Sequence, residues 1–132
     1  MNKQFIISVV VLFVVTMLLG FVVHGYLLSD AYQASTLFRS EEESQDYFHY
    51  MLLAHLFMAI GLTWVYRMGS QDKPWLQQGV RFGLALAVLI TIPTYMIYYA
   101  VQPLPSELVH QQMIYDSIAM VLVGMVAAFV NK

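Results

Sequence analysis

The stretch FIISVVVLFVVTMLLGFVVHGYLL, residues 5–28, carries 24 residues in which only Ser8, Thr16 and His24 are clearly polar. A helix of that length rises about 36 Å, enough to cross a hydrocarbon core of about 30 Å. Three further stretches read the same way: 47–67, 76–101 and 107–130. In lipid the backbone must satisfy its own hydrogen bonds, so such segments are helices or strands of a closed barrel. The alternating ten-residue pattern of barrel strands is absent from these runs. Residues 5–28 are also longer than the roughly 7–15 apolar residues of a signal peptide, and no A-x-A cleavage pattern follows, so we read them as a retained first helix.

The composition agrees. The 132-residue chain is 60% apolar and 11% charged, with a net charge of −2 and no cysteine. So few charges cannot cover a water-soluble surface of this size. No run of basic residues offers a footprint for nucleic acid. Without cysteine there is no disulfide, thiolate metal site or thiol nucleophile. The expectation is one all-α membrane domain over 1–132, with four transmembrane helices in an antiparallel up-down-up-down bundle.

The basic residues orient it. Lys3 precedes the first helix, Arg67, Lys73 and Arg81 bracket the second connection, and Lys132 ends the sequence; Arg39 alone lies on the other side. Basic residues favour the cytoplasmic side, which predicts that both termini face the cytoplasm of an inner membrane. Residues 29–46 then form an outer loop, carrying Asp30, Glu41, Glu42, Glu43 and Asp46. Ser40 with Glu43 has capping-box spacing. Asp72 with Pro74 is expected to start the third helix, and Ser106 to cap the fourth. Trp64, Tyr66 and Trp75 at one boundary, and Tyr26, Tyr47, Tyr50, Tyr98 and Tyr99 at the other, fit interfacial belts.

Packing signals are small residues. Gly79, Gly83 and Ala87 recur at every fourth position, as do Gly124 and Ala128, a pattern that lets helix backbones approach closely in lipid. The ladders fit contacts within the chain, or contacts with a second subunit.

The remaining polar residues gather in the outer half: His24, His55, His110, Thr94, Tyr95 and Asp116. Counting about 1.5 Å per residue brings His55, Asp116 and the helix break expected at Pro93 to one level, within about a turn. A carboxyl group at membrane depth is costly and seeks a partner. Asp116 is therefore the first candidate for ligand binding or proton handling, either protonated or paired with His55 or His110; the alternative is an interhelical hydrogen bond that only fixes the bundle. No metal-ligand spacing is present, and no catalytic set, so no metal or cofactor is expected. A haem held by two histidines, or a quinone in the chamber, is the alternative.

Taken together, Asp72-Lys73-Pro74-Trp75, Gly79-Val80-Arg81-Phe82-Gly83 and Pro93-Thr94-Tyr95, with Gly25 after His24 and the Gln102-Pro103-Leu104-Pro105 turn, resemble a group of small uncharacterised bacterial inner-membrane proteins. The resemblance implies a four-helix membrane protein and no activity. Two functions are in view. One is a non-enzymatic accessory or interaction subunit of a larger membrane complex, a respiratory complex being one such, or of a homo-oligomer. Its partners would be the lipid bilayer and other membrane subunits. The other is a small-molecule, quinone or haem binder, or a proton-coupled small transporter, using the polar chamber.

Overall fold

The computed structural model describes residues 2–132 and consists of helices and their connections. Four helices are long and apolar enough to cross a membrane: α1 (Lys3–Leu27), α4 (Phe48–Gly69), α5 (Trp75–Val101) and α6 (Ser106–Val130). Two short helices, α2 (Ser29–Gln33) and α3 (Glu41–Asp46), lie in the first connection. Large apolar side chains such as Phe21, Phe57, Trp64, Leu89 and Phe129 stand on the outside, as a lipid solvent requires and water would penalise.

Contacts between helix ends fix the directions. Ser8 near the start of α1 meets Thr63 near the end of α4, with hydroxyl oxygens 3.2 Å apart. Gln4 donates to the Val130 carbonyl, and the Asn131 amide donates to Ser8 at 2.8 Å. Both ends of the chain and the 70–74 connection therefore share one end of the bundle, here the terminal end. The first connection and the 102–105 turn share the other, the loop end. Successive long helices alternate in direction.

The α5–α6 pair is the tightest. A Cβ built on Gly79 would lie 2.7 Å from the Met125 Cα, and one on Gly83 would lie 2.4 Å from the Val121 Cα. From the other side, a Cβ on Gly124 would lie 2.4 Å from the Gly79 carbonyl oxygen. Ala87 and Ala128 are buried in the same seam. Both small-residue ladders are thus spent on each other inside the chain. An apolar layer containing Leu12, Ala59, Val123 and Ala127, all fully buried, fills the middle of the bundle.

Helix ends hold two differences from expectation. Ser40 accepts from the Glu43 amide at 3.2 Å and Glu43 returns the bond, the expected capping box. Ser106, however, caps nothing: the residue in the capping position is Pro105, and the Ser106 carbonyl instead accepts from His110. α5 starts at Trp75 after Pro74 and also lacks a side-chain cap. Asp72 does not cap it, and Gln78 instead reaches back to hold the connection. Its amide accepts from the Gln71 N–H and donates to the Gln71 and Lys73 carbonyls, each at 2.8 Å.

Two long helices contain a π-helical turn, Phe21–Leu27 in α1 and Ala87–Thr91 in α5. In these the Leu28 N–H reaches Val23 and the Ile92 N–H reaches Ala87, five residues back. The break expected at Pro93 takes this form. Proline cannot donate to the carbonyl four residues behind, and a wide turn re-registers the ladder just before it.

Candidate functional site

Asp116 projects from α6 towards three other elements. Its carboxylate accepts from the Tyr95 hydroxyl of α5. His24 Nε2, from the π-turn of α1, lies 3.2 Å and 3.1 Å from its two oxygens. No other histidine, lysine or arginine lies within 4 Å of a carboxylate among the described residues. The other ring nitrogen, Nδ1, lies 2.6 Å from the Tyr32 hydroxyl of α2. Gln112, one turn before Asp116 on the same face of α6, donates its amide to that hydroxyl at 3.0 Å. Five side chains from four elements thus form one connected network. Both π-turns sit beside it. One carries His24, and the other ends four residues before Tyr95.

Donor arithmetic gives the network a direction. Gln112 donates to the Tyr32 oxygen, so the Tyr32 proton is free to go to His24 Nδ1. His24 then carries its own proton on Nε2, facing Asp116. Burial raises the pKa of Tyr32, the Gln112 hydrogen bond pulls it down and the Asp116 charge raises it again, for a net rise above the ordinary value. Tyr32 therefore remains a donor at neutral pH. The chain runs Gln112, Tyr32, His24, Asp116, and ends where Tyr95 donates from the other side.

The first connection folds over this network. Val23, Leu28 and Leu108 form a small core against which Tyr32, Phe38 and Tyr115 pack. Phe38 meets the Tyr32 ring edge-on at 4.8 Å between centroids. The His24 side chain keeps 36% of its surface exposed and Asp116 15%, so the network opens at the histidine and closes at the carboxylate.

The other expected residues lie elsewhere. His110 points outward and its Nδ1 bonds the Ser106 carbonyl at 2.6 Å. It is six residues from Asp116, which puts the two about 120° apart around α6, on different faces. His55 packs against α1 one turn from His24: a Cβ on Gly20 would sit 3.4 Å from its ring. Its Nδ1 is buried without a partner, and it does not reach Asp116. Thr94 is exposed, because a residue adjacent to Tyr95 faces about 100° away. The partner of Asp116 is therefore His24, not His55 or His110. Tyr32 and Gln112 were not anticipated. Gln112 had a signal in its four-residue spacing from Asp116; Tyr32 had none.

What the arrangement can do is bind and pass a proton. Both ring nitrogens of His24 are engaged, and no group of three or more His, Asp or Glu side chains suited to a metal ion occurs among the described residues. The polar groups at the terminal end, Ser8, Thr63 and Asn131, are some 20 Å away by helix count, beyond the apolar layer of Leu12 and Val123.

Compared with known proteins, residues 7–128 match the family described as Protein of unknown function (DUF1761). No curated protein and no solved structure matches the chain. The match covers nearly the whole sequence, and the chain belongs to this uncharacterised family.

Proposed function

We propose that this chain is a non-enzymatic, multi-pass protein of a bacterial inner membrane, with both termini in the cytoplasm, that binds protons from the outer side through His24 and Asp116. The observation that carries the reading is the His24–Asp116 pair, wired on through Tyr32 to Gln112. A second proton on His24 would turn Nδ1 into a donor to Tyr32. The Tyr32 hydroxyl would then need another acceptor, and the Gln112 Oε1 is buried without one. Turning the Gln112 amide meets that need, so two self-consistent patterns exist, one for each protonation state. The apolar layer beyond the network makes it a one-sided site, suited to sensing or coupling rather than to conduction through the bundle. Infrared difference spectra of the reconstituted protein across a pH step test this. The expected result is a reversible shift of the Asp116 carboxylate band as His24 takes up its second proton, lost in Asp116→Asn and altered in Tyr95→Phe. Identical spectra in Asp116→Asn would refute it.

A second reading, an accessory subunit of a larger membrane complex or of a homo-oligomer, is favoured by α4. Tyr50, Phe57 and Trp64 recur every seven residues on its free side and are 64%, 69% and 62% exposed. Seven-residue spacing is that of a helix seam. Cross-linking from a cysteine placed at Phe57 would support this reading if it captures a protein, and count against it if it captures lipid alone. A haem or quinone has less support, since both nitrogens of His24 are already bonded.

A further inference from the structure

The terminal end holds a polar cleft of about 380 Å³ between the α4–α5 connection and the end of α6, lined among others by Tyr66, Lys73, Trp75, Gln78 and Lys132. Three observations bear on what it takes. First, it is preformed: the triple clamp of Gln78 holds residues 71–73 in place across the start of α5. Second, its lysines make no close ion pair: neither Lys73 nor Lys132 has a carboxylate partner among the described residues. Lys132 Nζ instead lies 3.9 Å from the centroid of the Phe129 ring and 5.8 Å from that of Trp75. Third, Trp75, half-buried at the start of α5, is a ring of the type that sits at headgroup level, whereas Tyr66 is buried in the core behind it.

We propose that this cleft binds the headgroup of an anionic phospholipid, its phosphodiester resting on Lys73 and Lys132 and its upper chain against the exposed Phe129 ring. What flanks the lysines chooses the lipid over a free phosphate: the exposed Phe129 ring and the Trp75 ring lie beside Lys132, where an acyl chain can continue and a soluble ion gains nothing. Basic clefts between helices at the cytoplasmic face are a recurrent form of lipid recognition.

Native mass spectrometry of the detergent-solubilised full chain tests this. It is titrated in turn with phosphatidylglycerol, phosphatidylcholine of the same acyl chains, and glycerol phosphate. One phosphatidylglycerol is expected to bind in preference to phosphatidylcholine. Lys73→Gln and Lys132→Gln should each weaken it about fivefold, since one surface cation contributes roughly that factor. Lys3→Gln, at the same end but outside the cleft, should leave it unchanged. Circular dichroism confirms that each variant is folded. Equal binding of the two lipids, retained preference in the doubly substituted protein, or an equal loss in Lys3→Gln overturns the proposal. Displacement by glycerol phosphate at matched concentration overturns the lipid as the occupant.

Discussion

Replacing Gly83 by alanine adds one methyl group where α5 crosses α6. That Cβ would sit 2.4 Å from the Val121 Cα and 2.6 Å from the Met120 carbonyl oxygen, whereas ordinary contact begins at 3.4 Å. The overlap is about 1 Å, and it is with backbone, which cannot rotate away as a side chain can. The helices must move apart by about that distance, and the whole seam from Gly79 to Ala128 loses contact. Overpacking of this kind costs about 1–3 kcal/mol, and the absence of any flexible neighbour puts Gly83 at the upper end. Gly61 is the control. Nothing lies within 4 Å of its missing Cβ, so alanine there should stabilise α4 by about 0.5–1 kcal/mol through helix propensity. A Cβ on Gly124 would lie 2.6 Å from the Gly83 amide nitrogen, so the two positions share one gap. Once Gly83→Ala has opened the seam, Gly124→Ala should add less than it costs alone. Reversible unfolding in mixed micelles, followed by circular dichroism, measures the three single variants and the Gly83/Gly124 double variant against the unsubstituted protein. A Gly83→Ala protein as stable as Gly61→Ala, or strict additivity of the Gly83 and Gly124 substitutions, would refute the seam.

Other predictions concern the network and its cover. Tyr95→Phe removes one donor from Asp116, and hydrogen bonds between membrane helices are worth about 0.6–1.7 kcal/mol, so the same unfolding assay should register a loss in that range. The raised pKa of Tyr32 has a pH consequence. A phenol harder to ionise when docked favours the docked form below its ordinary value of 10.0 and loses that support as the pH rises beyond it. Hydrogen-exchange protection over residues 29–46, taken relative to the intrinsic base-catalysed rate, should therefore fall above about pH 10, and Tyr32→Phe should remove that fall. Ser40→Ala breaks the capping box and should weaken α3 locally by about 0.5–2 kcal/mol, seen as faster exchange in Glu41–Asp46 with the spanning helices unchanged.

Some of this was legible in the residues. Four apolar runs of spanning length can only be helices once lipid is the solvent. The Gly79–Gly83–Ala87 and Gly124–Ala128 ladders are packing signals that need no structure to notice, but that they face each other is not legible in the sequence. Asp116 stood out because a carboxyl group at that depth demands a partner. The identity of the partner was not legible, for a geometric reason. His24 follows the start of a π-turn at Phe21, and one extra residue in a turn rotates every later side chain by about 100°. Helical counting from residues 5–20 therefore aims His24 wrongly. His110 could have been set aside from its six-residue spacing alone. Tyr32 lay in a segment with no periodicity, and it reaches the network only because the first connection folds back onto Leu28 and Leu108. Thr94 and Tyr95 are adjacent in sequence, and a helix turns such neighbours about 100° apart, so only Tyr95 faces the network.

The claim on which the account rests is that the chain crosses the bilayer four times, with residues 29–46 on one side and residues 70–74 on the other. The sequence has no cysteine, so single cysteines report without background. Thr36→Cys and Ser70→Cys place them at exposed positions in the two connections. A membrane-impermeant thiol reagent applied to intact spheroplasts should label Thr36→Cys at once and Ser70→Cys only after permeabilisation. Labelling of both from the same side would contradict the four-crossing arrangement.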